Sequence, residues 1–384
     1  MDSIDEFMQL RRDMGLIRSL RASGYHKDGK IYVDGKEYVD FSSNDYLGLA
    51  SHPKLKEASI KATEMFGTSA SASRLLSGDL EIHHEVENKL AFLKDKESAL
   101  VFNSGYQANI GIISTLFGKE DAIFSDRLNH ASILDGILLS RAKLFRYRHN
   151  DLNHLDTLLR KERRKFKEAL IITETVFSMD GDMSPVVELV GLKEKYNCKI
   201  MIDEAHATGV FGQEGYGVVD ERQLSDRIDL IMGTFGKALG SFGAYVACSQ
   251  KIKDYLINSC RSFIYSTALP PSIMAANLAS LELLKEEPFR RKTLLNNAEY
   301  FRDSLRKEGF QIRGCSQIVP IIIGDNIKTE KLSQELRNKG HWILPIRPPT
   351  VPVGESRLRL SLTYYHTKEM LDLLVSDLYD LNNL

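Results

Sequence analysis

Between about residues 45 and 285 the chain alternates helical stretches with short runs, several of them apolar throughout rather than at every second position. The runs are SALVF (98–102), DAIFS (121–125), EALIITE (168–174), CKIMIDEA (198–205), DLIMGTF (229–235) and AYVAC (244–248). A strand with one wet face alternates polar and apolar side chains, so a continuous apolar run demands burial on both faces. The pattern predicts an α/β architecture, a mainly parallel sheet covered by helices. Such a sheet binds ligands outside the carboxyl ends of its strands.

The flanks read differently. Residues 1–40 open with a charged helical pattern, and IYVDGKEYVDF reads as a hairpin turning at Asp34-Gly35. After the sheet region, PFRRKTLLNNAEYFRDSLRKEG is helical, and the tail alternates through IVPIIIGD, a helix near 329–340, WILPIRPP and RLRLSLT. The expected division is 1–45 as a helix and hairpin arm, 46–289 as a large domain and 290–384 as a small α+β domain. With 384 residues there is enough chain for a large core and a second lobe.

The 51 basic and 52 acidic side chains leave a net charge of -1, which gives no electrostatic reason to expect nucleic acid or an anionic membrane as partner. No apolar run reaches the length of a membrane span. MDSIDEFMQLRRDMG carries acids and has no apolar centre, so it does not read as a signal peptide, and the cytoplasm is the expected location. Cys198, Cys248, Cys260 and Cys315 are far apart with no CxxC pair, so neither a disulfide framework nor a metal site is expected.

The chemistry concentrates at the ends of the apolar runs. In GTFGKALGSFGAY (233–245), Lys237 follows a strand and sits among glycines, where a cofactor could approach closely. Alone it reads first as a solvated surface lysine, and as a Schiff-base lysine only if an electrophile lies nearby. In MIDEAHATG (201–209), Asp203 ends a strand and His206 follows three positions on. A carboxylate there can meet a pyridinium nitrogen, and alone it could equally be a helix N-cap. The pair, set 34 residues before a glycine-flanked lysine, says more than any member does by itself.

SSNDYLGL (42–49), NSGYQAN (103–109), NHAS (129–132), VFSMDGD (176–182), DEAHATG (203–209) and TFGK (234–237) occur in this order. The set resembles the α-oxoamine synthases, which are fold-type-I pyridoxal-phosphate enzymes, over nearly the whole chain. The tail IRPPTVPVGESRLRLSLT (346–363) and SRLLSG (73–78) are similar to the branch of that family serving biotin biosynthesis. One departure is GTSASASRLLSG (67–78), where serines and alanines replace a run that is often glycine-rich in the family. Positive φ is harder there, which bears on acyl-chain choice rather than on cofactor chemistry.

The resemblance implies a large domain with a seven-stranded mainly parallel sheet and pyridoxal 5'-phosphate as cofactor. It makes Lys237 the attachment point and the base for the α-proton, Asp203 the partner of the pyridine nitrogen, and His206 and Ser178 contacts to the ring hydroxyl oxygen. His130 would stack on the ring and face the substrate. Gly105 and Tyr106, at a helix start, and Thr234 would serve the phosphate, for which backbone N–H groups are suited. Thr267 in YSTALPP (265–271) matches a residue that reaches the neighbouring subunit's phosphate, which implies a homodimer with shared active sites.

For substrates, the resemblance assigns the amino-acid carboxylate to Arg359, with Asn44 assisting. Strand alternation puts Arg357 and Arg359 on one face, so periodicity does not separate them. Arg18, expected in the N-terminal helix with Arg21 close by, and Thr350 match positions that contact the acyl substrate. The implied reaction is decarboxylative condensation of L-alanine with a pimeloyl thioester, carried by coenzyme A or an acyl carrier protein. Rival readings are condensation of glycine with acetyl-CoA, an aminotransferase or carbon–carbon lyase, and a non-catalytic subunit.

Overall fold

The computed structural model of the chain describes residues 2–382. The described chain forms two compact units. One comprises the described parts of Met1–Gly48, Ser178–Asp182 and Lys292–Leu384, and the other Leu49–Phe177 and Met183–Arg291.

In the first unit, β1 (Ser23–Lys27), β2 (Lys30–Val33) and β3 (Lys36–Asp40) form an antiparallel ribbon. The second unit holds β4 (Ser98–Phe102), β5 (Ala122–Asp126), β6 (Lys143–Tyr147), β7 (Ala169–Glu174), β8 (Lys199–Asp203), β9 (Leu230–Thr234) and β10 (Ala244–Cys248). The first unit resumes with β11 (Ile318–Gly324), β12 (His341–Trp342), β13 (Pro345–Ile346) and β14 (Ser356–Ser361).

The seven strands of the second unit lie in the order β4-β10-β9-β8-β7-β5-β6, and only β10 runs against the others. The six runs singled out above are six of these strands, and all but β6 are buried along essentially their whole length. β6 is an edge strand with Lys143 and Arg146 exposed, so it lacks the apolar signature of its neighbours. Helix Gly105–Leu116 (Ala108, Ile112, Ile113) and helix Ala131–Ser140 (Ile133, Ile137) pack with Leu100, Phe102, Ile123, Leu170, Ile172 and Met201 into one core.

In the first unit, the hairpin does turn at Asp34-Gly35, and β3 then pairs in parallel with β12. The N-terminal segment therefore shares a sheet with the C-terminal region. β11, β14 and β13 form a separate antiparallel sheet with β14 at its centre. The first helix ends at Asp13, and Gly15 follows at φ +62°, a left-handed stop that glycine adopts without strain. Arg18 therefore lies beyond the helix in an irregular segment, which corrects its expected placement.

The serine-rich stretch does contain a strained residue: Ser71 adopts φ +62°. Its N–H donates to Ser69 Oγ at 2.9 Å, which offsets part of the cost of a left-handed non-glycine residue. Cys198, Cys248 and Cys260 are buried and Cys315 is exposed. Among the described residues no helix is long and apolar enough to cross a membrane, and no cluster of metal-ligating side chains occurs.

Candidate active site

Five strands of the second unit end on, or run shortly into, polar residues at one edge of the sheet. After β4 comes Ser104, which caps helix Gly105–Leu116 by accepting the N–H of Gln107 at 3.2 Å. After β5 comes His130, which caps helix Ala131–Ser140. β7 ends on Glu174, β8 on Asp203 and β9 on Thr234. Lys237 follows in a tight loop closed by hydrogen bonds from Gly240 N–H to the Lys237 carbonyl and from Phe235 N–H to the Gly243 carbonyl, both 2.9 Å. Gly105, Tyr106, His130, Asp203, His206, Thr234 and Lys237 line one cavity of about 170 Å³, together with Asn109, Ser132 and Glu174.

The ring of His130 is fixed from both sides. Its Nδ1 accepts the backbone N–H of Ser132 at 3.2 Å and lies 2.8 Å from Ser132 Oγ. A backbone N–H can only donate, so Nδ1 carries no proton and the neutral ring holds its hydrogen on Nε2. Burial among these groups, and then the nearby Lys237 ammonium, lower the pKa of His130 against the opposing pull of Asp203. Tyr106 meets the ring edge-on with centroids 6.3 Å apart, and its hydroxyl is in turn bonded to Asp135. A neutral, braced imidazole is the form suited to cover an aromatic ring.

Asp203 is 4% exposed. It accepts the Ala205 N–H at 2.8 Å and Asn109 Nδ2 at 3.1 Å, while Asn109 Nδ2 also reaches Ser132 Oγ at 3.0 Å. Asn109 and Ser132 thus join Asp203 to His130. Both residues lie in motifs quoted above, NSGYQAN and NHAS, but their work shows only when two helices and a strand converge. Glu174 has no signal in the sequence beyond ending an apolar run.

Directly after Asp203, Glu204 is fully buried and paired with Lys94, Oε2 to Nζ at 2.7 Å. Lys94 also donates to Thr208 Oγ1 at 3.1 Å, and Glu204 Oε1 accepts the Val219 N–H at 2.9 Å. Burial alone would depress the Lys94 ammonium, but the adjoining Glu204 charge outweighs it and holds the pKa above the usual lysine range. The pair ties the segment bearing Asp203 and His206 to the end of helix Glu81–Leu93. Lys94→Met leaves a buried carboxylate without its counter-charge and is expected to cost about 3–5 kcal/mol in denaturant unfolding. A loss below about 1 kcal/mol would show that Glu204 takes up a proton or finds water instead.

In the first unit, the two arginines of RLRL prove different. Arg357 is fully buried and saturated by carboxylates, Asp180 at 2.7 Å and Glu355 at 2.8 Å. Arg359 donates to the Ser178 carbonyl at 2.5 Å, Ser361 Oγ at 2.6 Å and Asn44 Oδ1 at 3.2 Å. Among the described residues it has no carboxylate partner. The structure thus brings Asn44, Ser178 and Arg359 together, and only Arg359 retains an unmatched charge for an incoming anion. Arg18 Nη2 also donates to Thr350 Oγ1 at 2.9 Å, joining the two residues matched to the acyl side. Thr267 is exposed, does not line the Lys237 cavity, and accepts Asn103 Nδ2 through its carbonyl at 2.9 Å.

The cavity suits pyridoxal phosphate on its own chemistry. It offers a primary amine, a buried carboxylate, a neutral imidazole face and a helix N-terminus for the phosphate. A Cβ at Gly105 would come within 3.1 Å of Met232 Cε, so glycine keeps that wall clear.

Comparison with known proteins agrees. Residues 36–378 match the family described as aminotransferase class I and II. The chain is 48% identical to the 8-amino-7-oxononanoate synthase of Geotalea daltonii over 379 residues, 98% of this chain and 96% of that one. Serine palmitoyltransferase from S. paucimobilis with bound PLP–myriocin superposes with a TM-score of 0.94 at 30% identity, covering 100% and 97% of the two chains. The 8-amino-7-oxononanoate synthase from Francisella tularensis does so with a TM-score of 0.79 at 30% identity, over 90% and 98%. With this fold, these motifs and relatives matched along almost its entire length, the chain belongs to the class I and II aminotransferase family, and within it to the pyridoxal-phosphate-dependent, fold-type-I α-oxoamine synthases.

Proposed function

We propose that this enzyme condenses L-alanine with a pimeloyl thioester, releasing carbon dioxide and the free thiol and giving 8-amino-7-oxononanoate for biotin biosynthesis. The observation that carries the reading is the 48% identity to a synthase of that name over 98% of the chain. Pyridoxal phosphate, when bound, supplies the electron sink for a carbanion at the amino acid's α-carbon. Lys237 attaches the cofactor and moves the α-proton, and Asp203 places a negative charge at the ring nitrogen. His206 and Ser178 hold the ring oxygen, His130 covers the ring face, and Gly105, Tyr106 and Thr234 receive the phosphate.

Arg359, steadied by Asn44, binds the carboxylate of the amino acid. A forked guanidinium fits a planar carboxylate in two-point fashion. Arg18 and Thr350 serve the acyl end. We also read the enzyme as a cytoplasmic homodimer in which Thr267 acts in the neighbouring subunit's site, a role that its exposed position supports. Coenzyme A and an acyl carrier protein are both suitable acyl carriers.

A substrate panel tests this. Free-thiol release with L-alanine and pimeloyl-CoA should exceed that with glycine and acetyl-CoA or with L-serine and palmitoyl-CoA. Between L-alanine and glycine on one thioester the margin is one methyl group, about 10–200-fold in kcat/KM. Arg359→Ala should raise KM for every amino acid alike, by about tenfold or more, because it binds the group they share. If glycine with acetyl-CoA is the best pair, the substrate assignment is wrong while the family stands.

A further inference from the structure

Glu174 ends β7 beside Asp203 at the end of β8, and the two are partners in the parallel register. Paired residues of a parallel ladder project to the same side, and both carboxyl groups line the Lys237 cavity at 4% exposure each. One oxygen of Glu174 accepts the backbone N–H of His130 at 2.6 Å, where helix Ala131–Ser140 begins. We propose that Glu174 is a positioning residue: it pins the main chain of His130 over the cavity, and does so as the neutral acid, leaving Asp203 to carry the negative charge.

Two adjacent buried carboxyl groups resist ionising together. Asp203 is the better served of the pair, with N–H donors from both Ala205 and Asn109, whereas Glu174 accepts the His130 N–H. The charged and titratable groups around Glu174 are Asp203 from β8, Asp126 from β5, Lys237 from the loop after β9 and His130, with His206 lining the same cavity. Burial first and the Asp203 charge second push its pKa up to about 8, against the pull of Lys237 and the His130 N–H. At neutral pH the acid therefore keeps its proton. Its carbonyl oxygen still accepts from His130, so the anchor does not need the charge.

The sign of the stability effect follows. A carboxyl group whose folded pKa lies above its ordinary value contributes stability that is complete below that ordinary value and is lost as pH rises through the folded one. For Glu174 the window runs from 4.5 to about 8. Glu174→Gln keeps an oxygen for the His130 N–H and removes the titration, whereas Glu174→Ala removes both.

This inference rests on reading the cavity as the cofactor site, so the test has a readout that does not need the cofactor. The full-length protein and both variants are melted with and without pyridoxal phosphate between about pH 5 and pH 9. The parent should lose Tm across the window and Glu174→Gln should lose less, the gap widening by about 2 °C or more. Near neutral pH, Glu174→Ala should fall at least about tenfold below Glu174→Gln in kcat/KM and retain pyridoxal phosphate less well in dialysis. A Glu174→Gln melting profile parallel to the parent, or a glutamine variant no better than the alanine one, overturns the proposal. A parent that fails to hold the cofactor at all would sink the cofactor reading, and the melting comparison would still decide the role of Glu174.

Discussion

Lys237→Ala should leave a folded protein that still binds pyridoxal phosphate but cannot hold it covalently. Borohydride treatment followed by denaturing mass spectrometry should show the cofactor's added mass on the parent and none on the variant. The loop survives the change because its hydrogen bonds are main-chain ones, from Gly240 N–H to the Lys237 carbonyl and from Ser241 N–H to the Phe235 carbonyl, both 2.9 Å. The remaining grip proposed for Asp203, His130 and the start of helix Gly105–Leu116, which line the same cavity, does not involve the amine. Turnover should fall by about a thousandfold or more, since a positioned proton-transfer group alone contributes about 10²–10⁴-fold. A borohydride-fixed mass persisting in the variant would move the attachment to another lysine and undo the assignment.

The sequence made the sheet legible because burial on both faces imposes a composition, as in SALVF or AYVAC, that needs no knowledge of neighbours. β6 escaped for the same reason: an edge strand bearing Lys143 and Arg146 has no such constraint. Residues picked out by their own chemistry, Lys237, Asp203 and His130, are legible from motifs, and the structure brings them into one cavity. Roles set by pairing were not visible. Arg357 and Arg359 alternate identically along β14; the resemblance favours Arg359, but the physical reason, the carboxylates of Asp180 and Glu355 that occupy Arg357, lies 177 and 2 positions away. Glu174 gains its meaning from register with a strand that begins 25 residues later. The N-terminal hairpin could not announce that its sheet is completed by β12.

Asp203→Asn should keep the fold and lose most of the activity, about a thousandfold or more in kcat, equivalent to about 4 kcal/mol on the barrier. An amide is nearly isosteric with the carboxylate, and its oxygen can still accept the Ala205 N–H. Its NH₂ group, however, would face Asn109 Nδ2, which now bonds Asp203 at 3.1 Å, so donor would meet donor. The larger loss is chemical, because a neutral amide cannot stabilise a cationic ring nitrogen, and the electron sink weakens. The substitution also acts on its neighbours. Asp203 is the second cause, after burial, of the raised pKa of Glu174, and it opposes the lowering at His130. Without it, Glu174 should ionise at lower pH, moving the negative charge from the end of β8 to the end of β7. The variant's stability should then vary less with pH above neutrality than the parent's, and that displaced charge should fail to restore turnover. Activity within about threefold of the parent would show that the carboxylate does not serve the ring nitrogen.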